Sequence, residues 1–278
     1  MPFKTLLTVT GPHQGDGDLK IATRLCEEID AHLSVLVLMV AAPPSGGEYG
    51  AVVSPAWLAE REAEMETLER RTSAVSKILS GSPVSADLSS DYPDQSWADE
   101  VIGRRARYAD LTIVGPEVLA SSLLKEKVIA GGLFSSVRPI LLVPEGARAT
   151  LKPKRVVVAW DGSLEASRAV RESLDILAGA DEVRVVIVDP IEDERHHGEE
   201  PGADVANYLS RHGVRVAVDR LPSSSHSIAT VLRQHAVDTD AELLVMGAYG
   251  HSRLRERIFG GVTRSVVENP GMPILMAR

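Results

Sequence analysis

The feature that most constrains this chain is a repeat of its own pattern. Short apolar, β-branched runs alternate with longer stretches of helical period along its length, and the same order of elements occurs twice. ADLTIVG at 109–115 is answered by AELLVMG at 241–247, IAGGLFSSV at 129–137 by FGGVTRSVV at 259–267, and RPILLV at 138–143 by MPILMA at 272–277. Strands that alternate with helices imply crossover units, a parallel sheet and helices on both faces. The expected fold class is therefore α/β, with two tandem domains of five parallel strands each.

The pattern predicts strands at 4–10, 33–40, 84–88, 111–114 and 140–143 in the first copy. The second copy has them at 155–160, 183–188, 214–219, 243–246 and 273–277, with helices near 163–178, 201–212, 225–237 and 262–268. PEGARATLKPK at 144–154 mixes proline, glycine and charge without apolar period, so it reads as a linker between domains at 1–146 and 153–278. The first copy also carries an insertion at 43–54 rich in glycine, proline and serine, followed by a helix over 55–79. On that helix Leu58, Met65, Leu68, Val75, Ile78 and Leu79 share a stripe expected to face the core, opposite Glu62, Glu66, Glu69 and Arg70. The insertion reads as a solvated connection, with a lid or contact surface as the alternative.

At 278 residues the chain has room for two ordinary domains, and its net charge of -9 argues against a nucleic-acid surface. Cys26 is the single cysteine, so no intramolecular disulfide forms; its setting among Leu25, Glu27, Glu28 and Ile29 reads as a buried, unreactive helix position. The first eleven residues lack a secretory pattern, and the apolar stretch 33–42 is interrupted by Ser34 and ends at Pro43 and Pro44. No membrane span is expected, and the location expected is cytoplasmic.

Chemistry in such a sheet gathers beyond the carboxyl ends of the strands, where the strand order reverses. Three segments of the second copy lie there: Ala159, Trp160, Asp161, Gly162 and Ser163; then Val188, Asp189 and Pro190; then MGAYGHSRLRERIFGGVT at 246–263. In the last, Gly247, Gly250 and Gly260 follow an apolar run directly, two residues between the first pair and nine before the third. Glycines at a strand end let main-chain N–H groups approach an anion, and a following helix N-terminus adds favourable partial charge. The spacing matches neither the dinucleotide fingerprint nor the Walker loop, whose lysine is missing, and a tight turn explains it as well. Asp161 is suited either to an adenine or ribose contact or to a turn and helix cap.

VVVAWDGSLEAS at 156–167, AELLVMGAYG at 241–250 and FGGVTRSVVENPGMPILMA at 259–277 together resemble the universal stress protein family, a branch of the adenine nucleotide alpha hydrolase-like group with a Rossmann-like fold. The resemblance covers the second half and extends more loosely to the first, as in a tandem member. It implies ATP, ADP or AMP as ligand, with or without magnesium. It implies that Asp161 contacts base or ribose, that Val188 offers a main-chain adenine contact beside Ala159 and Met246, and that Gly247, Gly250 and Gly260 surround ribose and phosphates. Gly261, Val262 and Thr263 would complete the phosphate site. One departure stands out: the family pattern has Ser or Thr where this chain has Gly261, leaving the main-chain N–H groups and the Thr263 hydroxyl.

The first copy departs further. Pro116, Glu117 and Val118 follow Gly115, so a carboxylate lies where phosphate would sit, and no Asp after Thr10 matches Asp161. At most one competent site per chain is expected. The resemblance further implies a sensor or adaptor in stress response more than an enzyme, pairing of 140–143 with 273–277, a homodimer of tandem chains and a protein partner of unknown kind. A slow ATPase or autophosphorylating enzyme is one alternative, although no general base or Walker lysine is evident; a nucleotide-free adaptor is the other. Arg253, Arg255 and Arg257 suit phosphate or solvent, and His251 suits phosphate or solvent more than base catalysis. His196 and His197 read as a charged loop and not a metal site; Ser223, Ser224, Ser225 and His226 could suggest a nucleophile and base, but no elbow motif surrounds them and LPSSSHS at 221–227 reads first as a helix cap.

Overall fold

The computed structural model describes residues 3–43, 46–47, 50–51, 54–190, 200–249 and 261–278. They fall into two compact units, 3–136 and 137–278.

In the first unit β1 (Thr5–Thr10) leads to α1 (Gly17–Ile29) and β2 (His32–Leu38), then to a minimal antiparallel pair, β3 (Gly46–Gly47) and β4 (Gly50–Ala51). There follow α2 (Pro55–Ser80), β5 (Ala86–Asp91), α3 (Ala98–Ala106), β6 (Leu111–Val114), α4 (Pro116–Ala120) and α5 (Ser122–Ala130), which runs into a π-helical turn at Gly131–Ser135. The strand order is β6-β1-β2-β5, all parallel. Leu6, Leu7, Val9, Leu33, Val35, Leu111 and Ile113 are buried, as a sheet covered on both faces requires.

Cys26 lies in α1 with no exposure, and burial, with Glu27 adding to it, pushes its thiol up to about 12. The folded chain is expected to resist iodoacetamide at pH 8 and to be alkylated only after denaturation, which mass spectrometry reads directly.

The α2 stripe needs correction. Only Leu68 and Val75 of the six apolar positions are buried, while Leu58 and Met65 are each 49% exposed. The helix lies against β5, whose own residues are at most half-buried, so the two meet along a narrow line and not a broad face. Toward the start of α2, Arg61 instead stacks on Trp57 and Tyr92, 4.6 and 5.0 Å from their ring centres.

The second unit begins with β7 (Ile140–Leu142) and β8 (Arg155–Ala159), followed by α6 (Leu164–Glu172), α7 (Leu174–Gly179), β9 (Glu182–Val188), α8 (Ala203–Arg211) and β10 (Val216–Leu221). It ends with α9 (Ile228–Asp238), β11 (Leu243–Gly247), α10 (Gly261–Glu268) and β12 (Ile274–Ala277). The order is β10-β9-β8-β11-β12-β7, parallel except that β7 runs antiparallel to β12, Ile274 facing Leu142 and Met276 facing Ile140. This is the pairing expected of 140–143 with 273–277. It also explains why the units divide after Ser136, ahead of the linker: the last strand of the first repeat shields the open edge of β12.

The single helix expected over 163–178 is two. The break falls at Ser173, which is buried: its N–H (3.1 Å) and its hydroxyl (2.7 Å) share the Ala169 carbonyl, and the hydroxyl also reaches the Val170 carbonyl at 3.3 Å. Among the described residues, no helix is long and apolar enough to cross a membrane.

Candidate functional site

In the second unit the chain runs from β8 outward through β9 and β10, then returns to the other side of β8 with β11. A parallel sheet leaves a crevice at the carboxyl ends of the two strands flanking such a reversal. Here it is a cavity of about 260 Å³, bounded by the ends of β8, β9 and β11 and the starts of α6 and α10. Ala159, Asp161, Val188, Met246, Gly247, Gly261, Val262 and Thr263 all line it, drawn from four separate stretches of sequence. Gly250 and Gly260 lie outside the described residues, as do His251, Arg253, Arg255, Arg257, His196 and His197.

One end of the cavity is a main-chain edge. The last rung between β8 and β9 pairs Ala159 with Val186, and Trp160 N–H donates to Val186 O at 2.9 Å. Asp189 N–H donates the other way, to Leu221 O on β10 at 2.9 Å. Strand alternation therefore turns the N–H and C=O of Val188 toward β8, which has already veered off at Trp160. Among the described residues no backbone group pairs with them, so a donor and an acceptor stand side by side at the cavity. Val186, Met246, Ile228 and Leu232 supply apolar walls. Beside this edge Asp189 sits at φ 49°, and hydrogen bonds from Ser223 hold its exposed carboxyl below the usual range.

The β8 exit is a capped turn. Gly162 takes φ 75°, Asp161 Oδ1 accepts from Ser163 N–H at 2.9 Å, and Ser163 Oγ accepts from Ala166 N–H at 3.1 Å to cap α6. Asp161 thus serves as turn residue while remaining exposed at the cavity.

The β11 end assigns its glycines different work. A Cβ on Gly247 would lie 2.5 Å from Ala166 N and 2.6 Å from Glu165 C, so the glycine is required by the close approach of β11 to the α6 backbone. Gly261 opens α10 with nothing within 4 Å of its missing Cβ, and the first-turn amides there have no partner within the helix. Tyr249 is buried at φ 68°, its N–H donating to Thr263 Oγ1 at 3.3 Å, and burial raises its phenol. Sequence reasoning missed Tyr249, Glu165, Ile228 and Leu232. The last two stand four apart on α9, a spacing that reads equally as core. The stretch LPSSSHS at 221–227 holds the cap expected of it: its last residue, Ser227, caps α9, accepting from Thr230 N–H at 3.2 Å.

The matching place in the first unit, at the ends of β1 and β6, is filled by the chain itself. Asp18, 1% exposed, accepts from the N–H groups of Glu117 and Val118, each at 3.0 Å, at the start of α4. Glu117 in turn accepts from Gly17 N–H at 3.0 Å at the start of α1, so each helix caps the other. A Cβ on Gly115, the counterpart of Gly247 in the repeat, would lie 2.3 Å from the Asp18 carboxyl carbon. Arg71 closes the cluster from α2, pairing with Asp16 at 2.7 Å and with the Gly15 carbonyl. The carboxylate expected at Glu117 is present, and the deeper plug is Asp18.

The model of the universal stress protein family matches residues 152–278. A universal stress protein from Synechocystis sp. is 27% identical over 146 residues, covering 51% of this chain and 47% of its own, so the match spans about half of that curated relative. Among solved structures, a universal stress protein from Archaeoglobus fulgidus DSM 4304 covers 99% of this chain and 96% of its own at a TM-score of 0.69 and 16% identity. A functionally unknown protein from Pseudomonas aeruginosa PAO1 covers 98% and 92% at a TM-score of 0.58 and 15% identity. At those identities the likeness is one of fold, an α/β arrangement of mostly parallel strands with helices on both faces. Through residues 152–278, which carry the glycine segment and the cavity, this chain holds a domain of the universal stress protein family.

Proposed function

We propose that the second unit binds an adenine nucleotide, ATP foremost with ADP and AMP as lesser ligands, and that occupancy of this site, not turnover, is the signal the protein carries. The observation behind this reading is the pairing of two features across one cavity: the N–H and C=O of Val188 at one end and the first turn of α10 at the other. An adjacent donor and acceptor complement the ring nitrogen and amino group of adenine, whereas guanine presents the reverse order. The helix start favours an anion, and Asp161 stands between the two within reach of a ribose hydroxyl. Magnesium, when present, would take its ligands chiefly from phosphate oxygens and water.

Adenine nucleotide is expected to copurify with the protein or to bind on addition, ATP well ahead of GTP. Equal binding of ATP and GTP would remove the role given to Val188. The first unit is proposed to serve as a nucleotide-free partner, because Asp18 and Glu117 already occupy its corresponding hollow.

Gly261 offers a separate check. A side chain there meets open space, so Gly261→Ser is expected to fold normally and to supply the missing hydroxyl donor. One added hydrogen bond of about 0.5–1.5 kcal/mol corresponds to a gain of up to roughly tenfold in ATP affinity. Calorimetry showing weaker binding than the parent chain would place the phosphates elsewhere.

A further inference from the structure

We infer that Thr263 is a positioning residue of the cavity: its hydroxyl oxygen ties the backbone at Tyr249 to the first turn of α10 and so sets the gap between two of the cavity's walls. The inference rests on the nucleotide reading and deepens it. It adds a clasp to the phosphate contact expected of Thr263, because an Oγ1 that accepts from Tyr249 N–H still has its own O–H to donate.

β11 delivers its last residues into the cavity wall under two restraints. Ala248 N–H donates to Ala277 O at 2.8 Å, which anchors that residue to β12. Tyr249, next in the chain, adopts φ 68°, a conformation disfavoured for any residue with a β-carbon, so it persists only where the surroundings impose it. Tyr249 is 4% exposed and its amide is buried, and a buried N–H without a partner is costly. Thr263, itself 6% exposed, supplies that partner at 3.3 Å. A β-branched side chain has few accessible rotamers, so this threonine presents its oxygen with little freedom to turn away. The outcome is mechanical: Gly247 is pinned against α6, Tyr249 is pinned to α10, and the amides of Gly261 and Val262 stand at a fixed distance from both.

The test compares Thr263→Val, which keeps the shape and removes the acceptor, with Thr263→Ser, which keeps the acceptor. Two readouts are taken on the whole chain: amide hydrogen exchange at Tyr249 without nucleotide, and affinity for MgATP. In T263V the Tyr249 amide is expected to exchange at least roughly tenfold faster and MgATP to bind roughly five- to thirtyfold more weakly. T263S should restore both. Unchanged protection of Tyr249 in T263V, or a T263S variant as impaired as T263V, overturns the clasp. Should T263V fail to fold, the parent chain and T263S decide: a Tyr249 amide exchanging at the open-chain rate in either refutes it, and slow exchange in both upholds it. If the parent chain binds no nucleotide, the ligand reading falls, and the exchange comparison still judges the clasp.

Discussion

Asp18→Ala is expected to destabilise the first unit by roughly 2–4 kcal/mol, because the substitution leaves two buried amides at the start of α4 without acceptors. Relief of repulsion between Asp18 and Glu117 offsets part of that loss. Asp18→Asn keeps an acceptor of the same shape and should cost less. The pH dependence has a definite sign. Burial raises the Asp18 pKa above 3.8, outweighing the two amide hydrogen bonds that lower it, with Glu117 adding to the rise. The folded state therefore holds its proton to higher pH than the unfolded chain. The corresponding stability is fully present below 3.8 and is lost as pH rises through the folded value. Urea unfolding should accordingly show Asp18→Asn furthest below the parent chain under acid conditions and closer to it near neutrality. A gap that widens toward neutral pH would mean that the amides, not burial, govern the carboxyl.

Gly247→Ala carries the second large effect. The added methyl would meet backbone atoms of α6 at 2.5 and 2.6 Å, and backbone cannot rotate away as a side chain can. Overpacking of this kind costs roughly 1–3 kcal/mol. The expected consequence for binding is larger than for folding. Displacing α6 moves Ser163, Glu165 and Ala166 together, all of which line the cavity, so ATP affinity should fall by at least about tenfold. Thermal unfolding and calorimetry on the same sample separate the two effects. A variant that binds ATP like the parent would show that the β11–α6 contact does not shape the site. The contrast with Gly261, where a side chain meets nothing, shows that two glycines of one segment are constrained by different things.

The architecture was legible because its signals are local. The run 243–246 is apolar throughout and 111–114 is so but for Thr112, as strands buried on both faces need, and the repeat gave their order. Strand ends likewise pointed to the crevice, since the carboxyl end of a parallel strand at a reversal is a geometric consequence of topology. What a helix packs against is not local, and so the stripe on α2 suggested a broad core contact, whereas only Leu68 and Val75 are buried. Asp18 escaped for a similar reason: an acidic residue in a first helical turn is ordinary, and nothing in its neighbours tells that it caps a helix a hundred residues away. Gly247 and Thr263 were drawn to the site by motif, yet motif position does not distinguish a glycine needed for packing from one needed for a ligand, or a hydroxyl that binds from one that holds.

The two units answer the same topological opportunity in opposite ways. In the first, the chain closes its own crevice with Asp18 and Glu117. In the second, the crevice remains a cavity with a main-chain edge and a helix start facing into it. Titration calorimetry of the whole chain with MgATP addresses this difference directly. The account predicts one nucleotide per chain, with binding weakened by Gly247→Ala and unaffected in stoichiometry by Asp18→Asn. Two nucleotides per chain, or no binding at millimolar MgATP, would contradict it.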